Sequence, residues 1–393
     1  MMLTAPPTFS QDTVFSTAEL RTEIDAGLVI ALEDAGQSEL LADLQARLEW
    51  ETITEGGRRF GFVLGGRAER DPHRTAWGGS AGECPEGQAD CRTTTSGDVV
   101  RGLTSGLYAS ASAQQPNDIR SSLEDAYGFV HFGYGELRLG YGDGAARMDA
   151  VAPPTAFRLA RADNGRVGLS ELSNARTFNY ASGQSPKIAF RSIALGQARS
   201  VGSFRANLSF TPEVSGCGVD VCDFDGAPAG VAVARVENVV EIAGYYELHR
   251  GETEMAFSFS HSRGENVEPD AVFRNLRVSD VGVRLDRGAW SAGLRWLNSN
   301  NASQGDHEAI AASVALENGD WLYALEWSGF GDNTVHSDGS TWQVGASKLL
   351  GDHWLAGFGV QQSTRDVARI TPSGRRELEQ DSTTFFVELG WRY

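Results

Sequence analysis

The chain of 393 residues lacks any run of about 18 consecutive apolar residues, the length that a transmembrane helix needs. This absence excludes a helical membrane span. Lysine is also nearly absent, because only Lys187 and Lys348 are lysines among 34 basic residues and the others are arginines. Arginine is favoured where a charge must stay fixed and form planar hydrogen-bonded pairs. The formal net charge of -18 argues against nucleic acid or an anionic lipid surface as the main partner.

The first residues, MMLTAPPTFSQDT, contain neither the basic n-region nor the apolar h-region of a signal peptide. We interpret the chain as either a mature form with a starting methionine or a cytosolic protein. Two close cysteine pairs bear on this choice, Cys84 with Cys91 and Cys217 with Cys222, each in a loop-like stretch rich in glycine and aspartate. Such pairs fit local disulfides formed in an oxidising compartment. A four-cysteine metal site is the alternative, although neither pair has the C-x2-C spacing of zinc ligands.

Motifs that carry chemistry are few. The seven histidines are scattered without the spacing of metal ligands, so we predict no metal site and no cofactor. The glycines of GYGELRLGYGDG at 133–144 do not match G-x-G-x-x-G, and no helical pattern follows them. We find no set of nucleophile, base and orienting residue, so the sequence does not predict an enzyme.

Hydrophobicity with a period of two recurs along the chain and predicts β-strands. In the C-terminal stretch STTFFVELGWRY, Phe385 and Val387 fall on one face and Glu388 on the other. The predicted strands are 20–33, 38–53, 59–70, 123–133, 136–143, 186–193, 202–211, 235–248, 253–264, 276–286, 289–297, 307–317, 321–330, 341–349, 354–364 and 382–393. Their apolar faces carry no charge, whereas the opposite faces carry arginines, acids and many glycines.

The connectors between these strands alternate between short and long. Short ones carry Gly, Asp or Asn turn signals, as in NGD at 318–320 and LGDH at 350–353. The long connectors are 71–122, 144–185, 212–234, 265–275, 298–306, 331–340 and 365–381, with a brief one at 34–37. The strand-like stretch 99–113 is assigned to a long connector, as a hairpin arm or latch, because counting it as a strand would break the alternation.

Eight of the nine tryptophans take the apolar parity, mostly toward strand ends, and Trp77 alone falls in a loop. Aromatic residues that flank a short apolar band are typical of a bilayer interface. A soluble sandwich also alternates, but its core favours Val, Ile and Leu in the strand middles. A sheet that faces lipid must close on itself so that no backbone edge is left unpaired. The sequence therefore predicts an all-β fold, a transmembrane antiparallel β-barrel of about 16 strands over residues 17–393, after an N-terminal tail, 1–16.

Three places carry a resemblance to a known family. They are LEDAYGFVHFGYGELRLGYGDGAA at 123–146, SPKIAFRSI at 185–193 followed by GSFRANLSFTPE at 202–213, and the C-terminal strand that ends on an aromatic residue. These stretches resemble the general trimeric porins of Gram-negative outer membranes, particularly the alphaproteobacterial type. The resemblance implies a homotrimer in the outer membrane, in contact with membrane lipid and lipopolysaccharide, with its signal peptide removed. It also implies insertion by the β-barrel assembly machinery.

The resemblance further implies that the third long loop, 144–185, folds into the lumen and narrows it. In the family, acidic groups on this loop face arginines on the wall, and the resulting transverse field tunes ion preference. The matching acids here are Asp143, Asp149, Asp163 and Glu171. The matching wall arginines, chosen by strand parity, are Arg21, Arg47, Arg67 and Arg138. The loop departs from the family by also holding Arg147, Arg158, Arg161, Arg166 and Arg176, so we expect some of these to pair with neighbours and hold the loop against the wall.

These features together predict a passive diffusion channel, a porin, for ions and small hydrophilic solutes. One alternative is a substrate-selective channel of the same architecture for sugars or anions. Aromatic side chains along the lumen would favour it, but most aromatics take the lipid-facing parity. The other alternative is a protein without a channel, either an adhesive barrel or a soluble all-β binding module.

Overall fold

Sixteen antiparallel strands close into a barrel in the computed structural model of the chain, and a short strand, Leu195–Gln197, pairs with 202–204 in the turn between two of them. The structure describes residues 15–34, 38–54, 56–72, 100–101, 119–170, 172, 175–198, 201–214, 232–233, 235–267, 274–300, 302, 305–333, 337–371 and 374–393. The strands are β1 (Phe15–Glu33), β2 (Ser38–Thr54), β3 (Arg59–Arg70), β4 (Arg120–Phe132), β5 (Gly135–Gly142), β6 (Ser185–Ser192), β7 (Gly202–Glu213), β8 (Val236–Arg250), β9 (Thr253–Asn266), β10 (Leu276–Arg287), β11 (Trp290–Ser299), β12 (His307–Asn318), β13 (Trp321–Asp332), β14 (Ser337–Leu350), β15 (Trp354–Thr371) and β16 (Gly374–Arg392).

The barrel closes between its first and last strands. β1 pairs with β16 in a register that sets Leu28 opposite Leu389 and Leu32 opposite Phe385. The backbone of Tyr393 also exchanges two hydrogen bonds with that of Ile24, at 2.9 and 3.0 Å. Closure pairs both edges of the sheet, as a barrel in lipid requires. The predicted closed barrel of 16 strands is thus confirmed.

Two predicted long connectors are wrong. β15 runs to Thr371 and β16 starts at Gly374, and these two residues pair, so most of the predicted connector 365–381 is strand. The predicted connector 331–340 shrinks in the same way to 333–336. The prediction ended each strand where the apolar alternation stopped. The backbone ladder continues beyond that point with polar side chains, because strand pairing does not need an apolar face.

Part of the strand-like stretch 99–113 is placed by the structure. Val100 and Arg101 pair in parallel with Ala232 and Val233, which joins two long connectors. The rest of that stretch lies outside the described residues, as do residues 1–14 of the predicted tail. The cysteines of the two predicted disulfides lie outside them as well: Cys84, Cys91, Cys217 and Cys222.

The short turns have the backbone geometry that their sequences predict. Gly319 in NGD has φ of 63°, and Gly351 in LGDH has φ of 71°. This left-handed region suits glycine and gives tight hairpins whose twist matches that of the strands. One end of the barrel is therefore closely trimmed, and the long connectors all leave from the other end.

The two faces of the wall differ as the period of two predicts. On β16, Phe385 and Val387 are 58% and 55% exposed. Glu388, which lies between Val387 and Leu389 in the sequence, is fully buried. Leu, Val, Ile, Phe and Trp side chains dominate the exposed set on the other strands too, and charged side chains are common among the buried ones. This inverts the usual distribution of a soluble protein and is typical of a barrel wall that faces hydrocarbon. In the described ranges, no helix has the length and hydropathy needed to cross a membrane.

Candidate functional site

Residues 144–185, which run from the end of β5 to the first residue of β6, pack against the buried face of the wall. They begin with the short helix α1 (Ala145–Met148), and the other described residues before β6 form only an isolated bridge between Asp163 and Ala175. Hydrogen bonds and ion pairs join them to β6 through β16 and on to β1, β2 and β3. We call these residues the 144–185 segment. The wall side chains that it contacts are on the face opposite the exposed apolar one.

Near the start of the segment, Asp149 lies between two wall arginines. Its carboxylate accepts hydrogen bonds from Arg191 on β6 and from Asn207 Nδ2 on β7, the latter at 3.0 Å, and lies 3.5 Å from Arg205 Nη1. Burial raises the pKa of Asp149, but the hydrogen bonds from Arg191 and Asn207 and the charges of both arginines lower that pKa more. The net pKa lies below the ordinary value.

We expect Asp149 to titrate with a midpoint below its ordinary pKa of 3.8. Because the folded-state pKa is lowered, the stability that this ion pair contributes is present above pH 3.8 and is lost as the pH falls through the lower folded-state value. The measurement is a carbon-13 NMR titration of the carboxyl group in detergent micelles, with Asp149→Asn for assignment. Arg191→Gln should raise the midpoint. A wild-type midpoint above 3.8 would contradict the ion pair.

In the middle of the segment, Glu388 of β16 binds three consecutive backbone amides. It accepts hydrogen bonds from the N–H groups of Arg158 at 2.7 Å, Leu159 at 3.2 Å and Ala160 at 3.0 Å. Buried backbone donors need partners, and this stretch has no neighbouring strand or helix to supply them. The carboxylate therefore takes the place of regular secondary structure at this point.

Glu326 of β13 makes a second anchor of the same kind. It accepts hydrogen bonds from the Thr155 hydroxyl at 2.5 Å and from the Ala162 N–H at 3.1 Å, and the Ser328 hydroxyl donates to the Ala162 carbonyl at 2.6 Å. Charge-assisted bonds of this type are stronger than neutral ones. Glu326 and Glu388 thus fix two points of the segment to neighbouring parts of the wall.

Glycines in the wall leave room for apolar side chains of the segment between these anchors. A Cβ added at Gly27 would lie 2.5 Å from Leu159 Cδ1, and one at Gly345 would lie 2.5 Å from Phe157 Cζ. Phe157 also packs edge to face on Phe386 of β16, with ring centroids 4.8 Å apart. Larger wall side chains would push the segment away, so these contacts fix its distance from the wall.

A fully buried arginine, Arg295 of β11, joins two separate stretches of the 144–185 segment. Its guanidinium donates to the Thr177 carbonyl at 2.9 Å and to the Val151 carbonyl at 2.6 Å, and it pairs with Asp280 of β10. The same guanidinium lies 4.2 Å from the centroid of the Phe178 ring. The planar fork of donors on arginine makes such a three-way contact possible.

In the middle of the segment, at Arg158 and Arg166, the signs of the charges are reversed, because the segment supplies arginines and the wall supplies acids. Arg166 Nη1 lies 3.6 Å from Asp25 of β1 and 3.5 Å from Asp43 of β2. Arg166 also donates to Gln45 Oε1 at 2.6 Å, and Arg158 lies 3.6 Å from Asp25. Ion pairs therefore hold the segment near its start and in its middle, with opposite polarity.

The other predicted acids occupy different environments. Asp163 is buried within the segment, where it accepts a hydrogen bond from the Thr177 hydroxyl at 2.7 Å and lies 3.5 Å from Arg161. Asp143, just before the segment, is exposed. Glu171 lies outside the described residues.

The structure brings together two of the predicted wall arginines. Arg47 of β2 donates to the Tyr127 hydroxyl at 3.0 Å, and the Arg138 guanidinium lies 5.0 Å from the centroid of the same ring. Both arginines also pair with a carboxylate two residues along their own strand, Glu49 and Glu136 respectively. Tyr127 thus holds two cations on neighbouring parts of one wall.

The remaining two predicted wall arginines lie elsewhere. Arg67 is buried and ion-paired with Asp43 and Glu69, and it donates to the Arg166 carbonyl of the segment at 2.9 Å. Arg21 is exposed near the start of β1 and pairs with Glu19. Arg67 therefore supports the segment, whereas Arg21 belongs to the trimmed end of the barrel.

Three anchoring residues, Glu326, Glu388 and Arg295, were not chosen as constriction residues, although strand parity predicts that Arg295 faces the lumen. Each is a single charged residue at the buried parity of a strand, between apolar neighbours, as in ALEWS, VELGW and GLRWL. That isolation is the available signal, because a lone charge between apolar residues needs a specific partner when it is buried.

Among the described residues, one group has the composition of a metal site. Ligand atoms of Glu247, His249 and Glu254 lie within 4.8 Å of one another at the β8–β9 hairpin. His249 faces Glu254 across the hairpin and pairs with both carboxylates. The hydrogen bond between His249 and Glu247, with Glu254 3.7 Å from the same ring, accounts for this geometry without a metal, so we assign none to it.

No family model and no curated protein matches the chain. Among solved structures it is similar to OmpT, an outer membrane protein of Vibrio cholerae in trimer form, with a TM-score of 0.53, 9% identity and coverage of 96% of this chain and 100% of that one. It is also similar to a porin refined at 1.8 Å, with a TM-score of 0.52, 11% identity and coverage of 95% and 100%. The chain has a porin-like fold. An anion-selective porin from Comamonas acidovorans has the same porin-like fold, with a TM-score of 0.50, 11% identity and coverage of 96% and 100%.

Proposed function

We propose that the chain is a passive diffusion channel, a porin, for ions and small hydrophilic solutes, and not an enzyme. One observation carries the proposal: the wall of a closed 16-strand barrel is apolar on its exposed face and charged on its opposite face. A barrel of this strand number encloses a space too wide for wall side chains alone to fill. Charged and hydrogen-bonding groups on that side are suited to water and to dissolved ions.

We propose further that the 144–185 segment lies in the lumen and narrows it. Its contacts with wall side chains of β6 through β16 and β1 to β3, all on the face away from the apolar surface, support this placement. In this arrangement Asp143, Arg47 and Arg138 meet passing solutes, and Asp149 holds Arg191 and Arg205 in place beside them. The buried residues Asp163 and Arg67 hold the segment in place.

The proposed location is the outer membrane of a Gram-negative bacterium, with membrane lipid and lipopolysaccharide against the exposed apolar face. The apolar wall and the porin-like fold support it. We propose a homotrimer, by analogy with the trimer form stated for the Vibrio cholerae protein. Insertion by the β-barrel assembly machinery fits the aromatic C-terminal strand.

The detergent-purified protein is expected to produce large, ohmic conductance steps in a planar lipid bilayer, in groups of three if the trimer forms. A water-filled lumen conducts without a gating transition, so the current should rise linearly with voltage. Heat modifiability on a gel establishes that the barrel is folded before the recording. A folded, heat-modifiable protein that gives no steps would contradict the channel and favour an adhesive or binding role for the long connectors.

A further inference from the structure

We infer that the narrow part of the lumen selects for anions, in spite of the net charge of -18 on the chain. The inference rests on the proposed channel function and adds to it a class of permeant solute, namely small inorganic and carboxylate anions. It follows from which member of each ion pair reaches solvent on the segment and on the wall beside it.

In the ion pairs around the segment, the arginine is the exposed partner. The side chains of Arg191 and Arg205 are 32% and 31% exposed, whereas Asp149, which they share, is 8% exposed. In the middle of the segment, the Arg166 side chain is 29% exposed and its partner Asp43 is fully buried. A solute that approaches these pairs from the lumen therefore meets guanidinium groups first.

On the wall at β2 and β5, the arginine is again the more exposed partner of each ion pair. Arg138 is 22% exposed and Glu136 is 12% exposed, and Arg47 is 38% exposed against 27% for Glu49. These two arginines flank Tyr127, so the wall adds two more accessible cations on the side where the segment makes fewer contacts.

Arg147 adds one more cation, and within the described ranges the partners of its guanidinium are two aromatic rings. Arg147 of α1 lies 3.9 Å from the centroid of the Phe178 ring and 4.7 Å from that of Tyr180. An aromatic face attracts a cation but does not neutralise its charge. Arg147 is partly exposed and lies two residues before Asp149, so it adds to the positive potential at that end.

Some carboxylates in this region oppose these cations. Asp143 is exposed, and Glu124 and Asp125 of β4 are partly exposed, close enough to interact with it electrostatically. Asp25 is about as exposed as its partner Arg158, at 22% and 23%. These groups create a field across the lumen. Glu49 and Glu136 are also accessible, at 27% and 12%, and Glu23 opposite Arg47 is exposed. Accessible arginines are in excess where Arg147, Arg191 and Arg205 surround Asp149 and where Arg158 and Arg166 face Asp25 and Asp43.

The charge nearest to a passing ion decides selectivity because Coulomb energy falls with distance and salt screens it over a Debye length of about 10 Å at 0.1 M. The excess of the 52 acidic residues over the 34 basic ones is spread over the whole chain. Distant negative charge is thus screened, whereas the guanidinium groups in front act at contact distance.

The test is the reversal potential of single channels under a tenfold KCl gradient, in which the two ions have nearly equal mobility. We expect the wild-type channel to pass chloride at least about twice as readily as potassium. Arg191→Gln/Arg205→Gln removes two accessible cations and leaves Asp149 uncompensated, so the ratio of chloride to potassium permeability should fall at least about threefold. Asp149→Asn should raise it.

Arg287→Gln is the matched control, because Arg287 is an exposed arginine at the β10–β11 turn. Its loss changes the net charge by the same amount as the loss of Arg191 or of Arg205. It should leave the ratio unchanged. Open channels that prefer potassium, or a double variant that behaves like the control, would overturn the inference and leave the diffusion channel standing. A folded wild-type protein without conductance would overturn the proposed function, and the inference with it.

Discussion

Glu326→Ala/Glu388→Ala is expected to raise the single-channel conductance at least about twofold and to add rapid current noise. The two carboxylates together accept five hydrogen bonds from the segment, and all five come from its central part. Without them, the backbone N–H groups of Arg158, Leu159, Ala160 and Ala162 lose their acceptors while they remain packed against the wall.

The size of this effect follows from the cost of buried donors without partners. A hydrogen bond to a charged group contributes roughly 1.5–3 kcal/mol, and an unpaired buried donor costs a similar amount. Three such bonds meet at Glu388 alone, so the bound position of the segment should lose several times the thermal energy. The barrel itself keeps its strand ladder, and we therefore expect the segment to detach without unfolding of the wall.

Conductance in a planar bilayer measures the outcome, with heat modifiability as the check on folding. Glu254→Ala is the matched control, since it removes a carboxylate on β9 that is 48% exposed and pairs only with His249 among the described residues. Glu388→Gln should give an intermediate conductance, because its amide retains one acceptor oxygen. If the double variant conducts like the wild type, the two anchors do not determine the width of the lumen.

The barrel could be predicted from the sequence because its signals are local. The alternation in β16 assigns Phe385 to the lipid side and Glu388 to the other side without any knowledge of neighbouring strands. The glycine turns at Gly319 and Gly351 mark the hairpins in the same way. The hairpin signals and the apolar alternation together predict the strand number, even though two of the predicted long connectors are short in the structure.

The partners of individual charges could not be predicted, because they depend on register and on the path of an irregular segment. Arg47 and Arg67 have the same parity, yet Arg47 lies opposite Gly65 and Arg67 lies beside Asp43 and Glu69. A shift of one residue in the pairing of β2 with β3 would give each arginine a different set of neighbours and turn one strand's side chains to the opposite face. The sequence contains no signal that fixes the register to one residue.

The contacts of the 144–185 segment are also hard to predict, because its sequence has no periodic pattern of apolar residues. Residues without regular structure carry no periodic pattern, so the meeting of Arg166 with Asp25 and Asp43 leaves no trace in the sequence. The resemblance supplied acids on the segment and arginines on the wall. The structure has this arrangement at Asp149 and the opposite arrangement at Arg166, because the segment spans much of the wall and meets both signs of charge.

Arg295→Met is expected to lower the free energy of unfolding by about 3–5 kcal/mol, the usual cost of removing one partner of a buried ion pair. Asp280 would remain buried without its guanidinium, and the carbonyls of Val151 and Thr177 would each lose a donor. Arg295→Lys should recover part of the loss, because an ammonium group can pair with Asp280 but cannot reach both carbonyls in the same geometry.

Unfolding by guanidinium chloride in detergent micelles, followed by tryptophan fluorescence, measures the free energy. Arg284→Met is the matched control on β10, where the arginine is 41% exposed and pairs with Asp286, and its loss should cost less than about 1 kcal/mol. The double variant Arg295→Met/Asp280→Asn should be more stable than Arg295→Met alone, because the uncompensated carboxylate is gone. Equal costs at Arg295 and Arg284 would mean that the segment contributes little to the wall, and that burial of Arg295 reflects only its position under the segment.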